Sequence, residues 1–182
     1  MDRRLVDRAQ RGDRDAFAQL ATIASDRLFA IALRILRDVD AAGDALQLAL
    51  VHIWRDLPTL RDPDRFEAWS YRLIVRQCHA ELRRARRRPQ AVDLLSTDAA
   101  IGDAQVSVSL RDELERAFDR LSADQRAVLV LMYYRDQSIQ EIAESLGIPE
   151  GTVKSRLHYA RSAMRAAVEA DARPVTQEGR LA

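Results

Sequence analysis

Apolar positions along this chain recur at three- and four-residue spacing, and period-two alternation is almost absent, so the pattern predicts helices throughout. Asp13 stands where a helix cap belongs, ahead of Phe17, Leu20, Ala24, Leu28, Ile31 and Ile35 on one face. Another stripe runs from about Ala41 through Leu46, Ala49, Leu50, Ile53, Trp54 and Leu57, and stops at Pro58. Pro63 falls in the following loop. A further helix starts near Arg65 and continues through Trp69, Leu73 and Leu82 to the run Arg83-Arg84-Ala85-Arg86-Arg87-Arg88, where Pro89 ends it.

Residues 89–110 break the pattern. Small and polar residues dominate there (Ser96, Thr97, Asp98, Ala99, Ala100, Gly102), so the stretch is read as a flexible linker, with weak packing open to Ile101–Leu110. A second helical set follows, in which Leu114, Ala117, Phe118 and Leu121 form one stripe. Ser122 with Gln125, and Ser138 with Glu141, have the spacing of capping boxes and mark two helix starts. The expected architecture is all-α. Two small bundles, residues 1–88 and 111–170, are joined by the linker and followed by a frayed tail, 171–182.

Composition adds little to that picture until charge is considered. A hydrophobic content of 47% permits a buried core without staples. The single cysteine, Cys78, rules out an internal disulfide framework and fits a reducing compartment. The start Met1-Asp2-Arg3-Arg4 has no apolar signal stretch, and no segment approaches ~20 uninterrupted apolar residues. A cytoplasmic protein without membrane insertion is expected. The net charge of +1 hides a segregation: residues 1–88 carry +5, residues 89–110 carry −3 with no Lys or Arg, and the rest carry −1. In the second half the cations come late, at Lys154, Arg156, Arg161 and Arg165, and such a basic stripe is the electrostatic footprint of nucleic-acid binding.

The most specific local signal spans Ser138 to Leu157. Ile139, Ile142, Ala143 and Leu146 make a short buried face, Gly147 suits the left-handed residue that ends a helix, and Pro149 suits the first turn of the next one. Val153, Leu157, Ala160 and Met164 then face inward. Thr152, Lys154, Ser155, His158 and Tyr159 remain to donate hydrogen bonds to phosphates and base edges. These are the parts of a helix-turn-helix whose second helix enters the major groove. An ordinary helical hairpin with a charged outer face has the same spacing.

Leu121-Ser122-Ala123-Asp124-Gln125-Arg126-Ala127-Val128-Leu129, Ile139 to Leu146 and Gly151-Thr152-Val153-Lys154-Ser155-Arg156-Leu157 together resemble the C-terminal domain of bacterial sigma factors, closest to the two-domain extracytoplasmic-function branch. The resemblance implies contact with the promoter −35 element through Thr152, Lys154, Ser155, His158 and Tyr159. Tyr159 stands where the family often has Arg.

A second resemblance covers Gly12 to Arg88. Ala41 to Trp54 is similar to the sigma-factor helix that docks on the clamp coiled coil of the largest polymerase subunit. The residues themselves point to a partner surface. With Leu46, Ala49, Leu50, Ile53, Trp54 and Leu57 inward, Asp44, Leu48, Val51 and Arg55 face outward, and exposed apolar side chains mark contacts; packing against a neighbouring helix is the alternative. Gly43 and Leu48 replace acidic residues of the usual motif, so docking is expected on Asp44, Gln47, Leu48 and Val51. Phe66 to Arg84 resembles the family's −10-reading helix, which implies DNA contacts for Arg72, Arg76, His79, Arg83 and Arg84. Trp69 and Tyr71 follow the packed stripe and are read as core. Arg76 and Ala80 depart from the family's usual Asn and Asp.

The resemblance implies core RNA polymerase, promoter DNA and an anti-sigma protein as partners, and calls for no cofactor. Two rival readings use less of the chain. A free helix-turn-helix repressor explains residues 121–168 and leaves the arginine-rich half idle. An enzymatic first domain lacks support, because His52, His79 and His158 lie far apart and neither a Cys/His cluster nor a Gly-rich phosphate loop occurs. The sequence offers no catalytic constellation and no metal-ligand set.

Overall fold

The computed structural model describes residues 1–87 and 105–171, and every regular element among them is helical. In chain order these are α1 (Arg3–Gln10), α2 (Arg14–Leu36), α3 (Val39–Asp56), α4 (Phe66–Arg87), α5 (Gln105–Asp119), α6 (Ala123–Leu129), α7 (Ile139–Leu146) and α8 (Glu150–Asp171). Two 3-10 turns, Leu57–Thr59 and Pro63–Arg65, join α3 to α4, and a π-helical turn, Val130–Tyr134, continues α6.

Short polar side chains set the helix starts. Asp2, Asp13 and Asp38 each accept a hydrogen bond from a first-turn amide, at 2.9 Å from Arg4, 2.9 Å from Ala16 and 2.8 Å from Ala41. Both predicted capping boxes close reciprocally. The Gln125 amide donates to Ser122 Oγ (3.3 Å) and the Ser122 amide to Gln125 Oε1 (2.8 Å). Glu141 and Ser138 repeat the arrangement at 3.2 and 2.7 Å. α2 ends without glycine: Arg37 adopts the left-handed conformation (φ 61°), and its amide donates to the Leu33 carbonyl at 2.8 Å.

α1 to α4 form the first bundle, around Leu20, Leu28, Ile31, Ile35, Ile53, Phe66 and Ile74, all fully buried. Burying each such side chain contributes on the order of 1.5–3 kcal/mol relative to leaving it in water. α3 turns Ala42, Ala45 and Ala49 inward where it packs on α2 and α4, and small side chains let the backbones approach closely. α5 to α8 form the second bundle, around Val128, Leu131, Ile142, Val153 and Leu157. The two bundles touch. α4 packs on α7 and α2 on α6 and the π turn, so one apolar cluster runs through both.

α2 is long enough to span a membrane and contains an 18-residue window of mean hydropathy 1.3, but Asp26 and Arg27 interrupt it, and Leu20, Ala24, Leu28, Ile31 and Ile35 are buried inside the protein. Three details differ from the sequence expectation. Trp54 does not join the inward stripe: it is 46% exposed, its ring edge-on to Phe17 with centroids 4.5 Å apart. Leu48, expected to face outward, is half-buried. α5 begins at Gln105, inside the stretch read as linker, and Leu114 on it is exposed. The end of the arginine run at Arg88-Pro89, the linker up to residue 104 and the tail from 172 lie outside the described residues.

Candidate nucleic-acid interface

The helix-turn-helix is built by α7 and α8. Gly147, at φ 67° and ψ 38°, ends α7 in the left-handed conformation, and its amide donates to the Ala143 carbonyl. The chain turns at once, and the Pro149 carbonyl accepts from the Thr152 and Val153 amides (2.9 and 3.2 Å) to open α8. Val153, Leu157 and Ala160, at positions i, i+4 and i+7, are buried and fix the rotation of α8 about its axis. Lys154, Ser155, His158 and Tyr159 are therefore exposed, and Thr152 is half-buried beside them. The His158 and Tyr159 rings meet edge to face at 5.7 Å. Lys154 Nζ lies 3.6 Å from Glu150, a surface pair weak enough to yield to a phosphate. Ser155 Oγ donates to the Thr152 carbonyl at 3.0 Å. All five residues lie on one helix, and four project from it into solvent.

α4 buries Phe66, Ser70, Tyr71, Ile74, Val75, Gln77, Cys78 and Glu81. Burial pushes the Cys78 thiol up to about 12, which leaves it protonated and inert. Among the five candidates, Arg72, Arg76, Arg83 and Arg84 are exposed and His79 is half-buried, with Arg84 held to Glu81 at 2.7 Å. Arg72 and His79 turn toward the second bundle. Arg72 Nε donates to the Ser145 carbonyl at 3.1 Å and Arg72 Nη2 to the Glu144 carbonyl. His79 Nε2 lies 3.3 Å from Asp124, whose other oxygen is 3.2 Å from Arg156. Burial lowers the His79 pKa, and Asp124 opposes that shift. The arginine-rich helix thus presents a divided surface.

On α3, Asp44, Gln47 and Val51 are exposed, Val51 by 60%. Trp54, seven residues beyond Gln47, extends the same face. Among the described residues no group of three His, Cys, Asp or Glu is placed to hold a metal ion.

Sequence reasoning missed the cations that join the bundles. Arg37 donates to Asp119 and Glu115, each at 2.6 Å. Arg65 reaches Glu144 at 2.8 Å. Arg135, just after the π turn, donates to the Tyr71 hydroxyl at 2.9 Å. Their partners lie more than sixty residues away in sequence, so no local pattern announces them.

A cation-bearing helix on one bundle and a helix-turn-helix on the other define a two-module nucleic-acid-binding protein. Comparison with known proteins gives the class its family. Residues 22–88 match the family model for Sigma-70 region 2, and residues 111–164 match that for Sigma-70, region 4. The RNA polymerase sigma-H factor of Pseudomonas aeruginosa is 30% identical over 92% of this chain and 94% of its own length. The ECF RNA polymerase sigma factors SigW of Bacillus subtilis (29%; 91% and 95%) and SigM of Mycobacterium tuberculosis (35%; 83% and 76%) are similar as well. Among solved structures, the sigma factor RpoE of Bartonella quintana, in complex with the anti-sigma factor NepR, superposes with a TM-score of 0.67 at 26% identity, over 85% of this chain and 98% of that one. CnrH, in complex with the cytosolic domain of CnrY, shares the fold (TM-score 0.68, 24% identity, 93% and 98% covered).

The chain belongs to the sigma-70 family of RNA polymerase sigma factors, in its extracytoplasmic-function branch. It is a transcription initiation factor and not an enzyme: it binds core RNA polymerase and directs promoter-specific initiation. Its N-terminal module recognises and melts the −10 element, and its helix-turn-helix recognises the −35 element.

Proposed function

We propose that α8 enters the major groove of the −35 element with Thr152, Lys154, Ser155, His158 and Tyr159 against phosphates and base edges. The observation that carries this is the division of α8: Val153, Leu157 and Ala160 are locked in the core and leave that set on the outer face. Tyr159, 63% exposed, offers a hydroxyl and an aromatic face where an arginine would offer a charge. Arg72, Arg76, His79, Arg83 and Arg84 follow the −10 strand, since strand opening calls for cations along the backbone and stacking surfaces for exposed bases. Asp44, Gln47, Leu48 and Val51 dock on the polymerase clamp.

The modules are then residues 1–88 for the clamp and −10 element, 111–170 for the −35 element and 171–182 as tail, with 89–110, whose last six residues begin α5, as connector. Site of action is the cytoplasm, where the polymerase works. Because RpoE and CnrH were solved with bound protein partners, RpoE with an anti-sigma factor, an anti-sigma protein is expected for this chain too.

The test is a footprint on promoter DNA with and without core polymerase. Two weak DNA-reading modules held on one enzyme act at high effective concentration. The free protein is therefore expected to bind duplex DNA weakly and with strong salt dependence, and the holoenzyme to give a start-site-specific, melted complex. Arg72→Ala should reduce melting by the holoenzyme. A sharp footprint from the free protein, unchanged by polymerase, would favour a stand-alone repressor and overturn the proposal.

A further inference from the structure

The cations of α8 are either paired or remote from Tyr159. Lys154 Nζ lies 3.6 Å from Glu150, Arg156 Nη2 pairs with Asp124 at 3.2 Å, and the Arg161 guanidinium lies over the Tyr133 ring, 5.5 Å from its centroid. Arg165 stands six residues past Tyr159, about 9 Å further along the axis. The residues one turn from Tyr159 on its own face, Ser155, Ser162 and Ala163, are small and uncharged. Tyr159 itself is 63% exposed. His158 braces its ring edge to face, with centroids 5.7 Å apart and planes at 70°, an arrangement that aromatic pairs favour. At its centre the outer face of α8 therefore presents a held aromatic ring where a guanidinium could have stood.

In the major groove thymine alone presents a methyl group, beside the hydrogen-bond donors and acceptors of the other base edges. We infer that Tyr159 reads a thymine of the −35 element through that methyl, with the ring packed on it in place of a charge on a phosphate. The inference rests on the reading of α8 as the −35 helix and names the base that one of its residues selects. Burying one methyl against the ring gives roughly a fourfold preference for thymine over the same base without it. A neutral ring displaces no counterion, so Tyr159 adds nothing to the salt dependence of binding, whereas a cation on a phosphate would steepen it. The hydroxyl is secondary, because the apolar ring makes the contact. Lys154, Ser155 and His158 keep their donors for the polar base edges and phosphates.

The test uses holoenzyme reconstituted from core polymerase and the full chain. The −35 sequence it prefers is selected from promoter DNA randomised at those positions. Each thymidine of that sequence, on either strand, is then replaced singly by deoxyuridine, which lacks only the methyl. At one position uracil is expected to lower holoenzyme affinity about fourfold. Tyr159→Phe should keep that loss, because the ring remains. Tyr159→Ala and Tyr159→Arg should abolish it, and Tyr159→Arg should also steepen the slope of log affinity against log salt by about 0.9. Melting temperatures should hold in all three variants, since the side chain is exposed. A selected sequence in which no thymine methyl matters, or a uracil effect that survives in Tyr159→Ala, overturns the inference. Lys154→Ala reads the placement of α8 separately. If it still relaxes −35 selection while uracil has no effect, only the assignment to Tyr159 fails; if neither has an effect, α8 is not in the groove.

Discussion

Arg135 Nε donates to the Tyr71 hydroxyl at 2.9 Å, which ties the loop after the π turn to the second turn of α4. The guanidinium also lies 5.3 Å from the Tyr71 ring centroid and 3.9 Å from the Glu67 carboxylate. Burial raises the Tyr71 pKa, with Glu67 adding to the rise, so the phenol is protonated and the Arg135 donor has a neutral acceptor. Tyr71→Phe should cost about 1 kcal/mol, the net value of one such hydrogen bond, seen as a fall of roughly 2–4 °C in melting temperature. No change in melting temperature would mean that this contact contributes nothing to stability.

The capping box that opens α7 gives a second prediction. Ser138 and Glu141 satisfy each other's amides, and the position of the helix-turn-helix depends on where α7 starts. Ser138→Ala should destabilise the protein by about 1 kcal/mol, and Ser138→Asp, also a good cap, should restore most of that. Thermal denaturation of the two variants checks it. Equal losses in both would assign the effect to something other than capping.

On α8, Lys154→Ala and His158→Ala should each lower discrimination among −35 sequences by roughly tenfold, from the 1–3 kcal/mol of a good base contact. Neither should change affinity for core polymerase or the melting temperature, since both side chains are exposed. The measurement is transcription in vitro on promoters that differ only at −35. Unaltered preference in both variants would remove α8 from the groove.

α3 supplies a prediction that the structure sharpens. Val51, more exposed than Leu48, is the cleaner probe of the clamp contact. Val51→Asp places a charge in an apolar contact at a cost of a few kcal/mol. Affinity for core polymerase should fall at least tenfold while helical content holds. Leu48→Asp should weaken binding and also lower the melting temperature, because Leu48 is half-buried. Normal polymerase affinity for Val51→Asp would exclude this face.

His79 makes stability depend on pH. Its pKa lies below the ordinary 6.5 chiefly because of burial; Asp124 works against that shift, and Arg156 and Arg83 add to it. The unfolded chain therefore takes up this proton first as pH falls. The stability it confers is complete above about pH 6.5 and is lost as pH drops from there through the depressed folded pKa. Any advantage in melting temperature of the wild type over His79→Gln should shrink between about pH 7.5 and about pH 5.5. An advantage that grows toward acid pH would show that Asp124 outweighs burial.

Much of the local structure was written in the sequence. Asp13, the Ser122–Gln125 and Ser138–Glu141 boxes, Gly147 and Pro149 act through backbone groups one to four residues away, so their spacing states their roles. The inward rows of α2 and α8 were legible too, because a helix repeats every 3.6 residues and one side must leave water. Trp54 escaped that logic: its period fits the buried row, yet the neighbour it meets is Phe17 at the rim of the bundle. The π turn at Val130–Tyr134 left no mark among apolar residues that suit an α-helix equally well. Only the tertiary structure decided how the bundles meet. Arg37, Arg65, Arg72, His79 and Arg135 look like any solvated cation in sequence; the folding of the chain sets each opposite a specific acid, carbonyl or phenol. Periodicity records which side of a helix avoids water, and an ion pair depends on where two distant helices end.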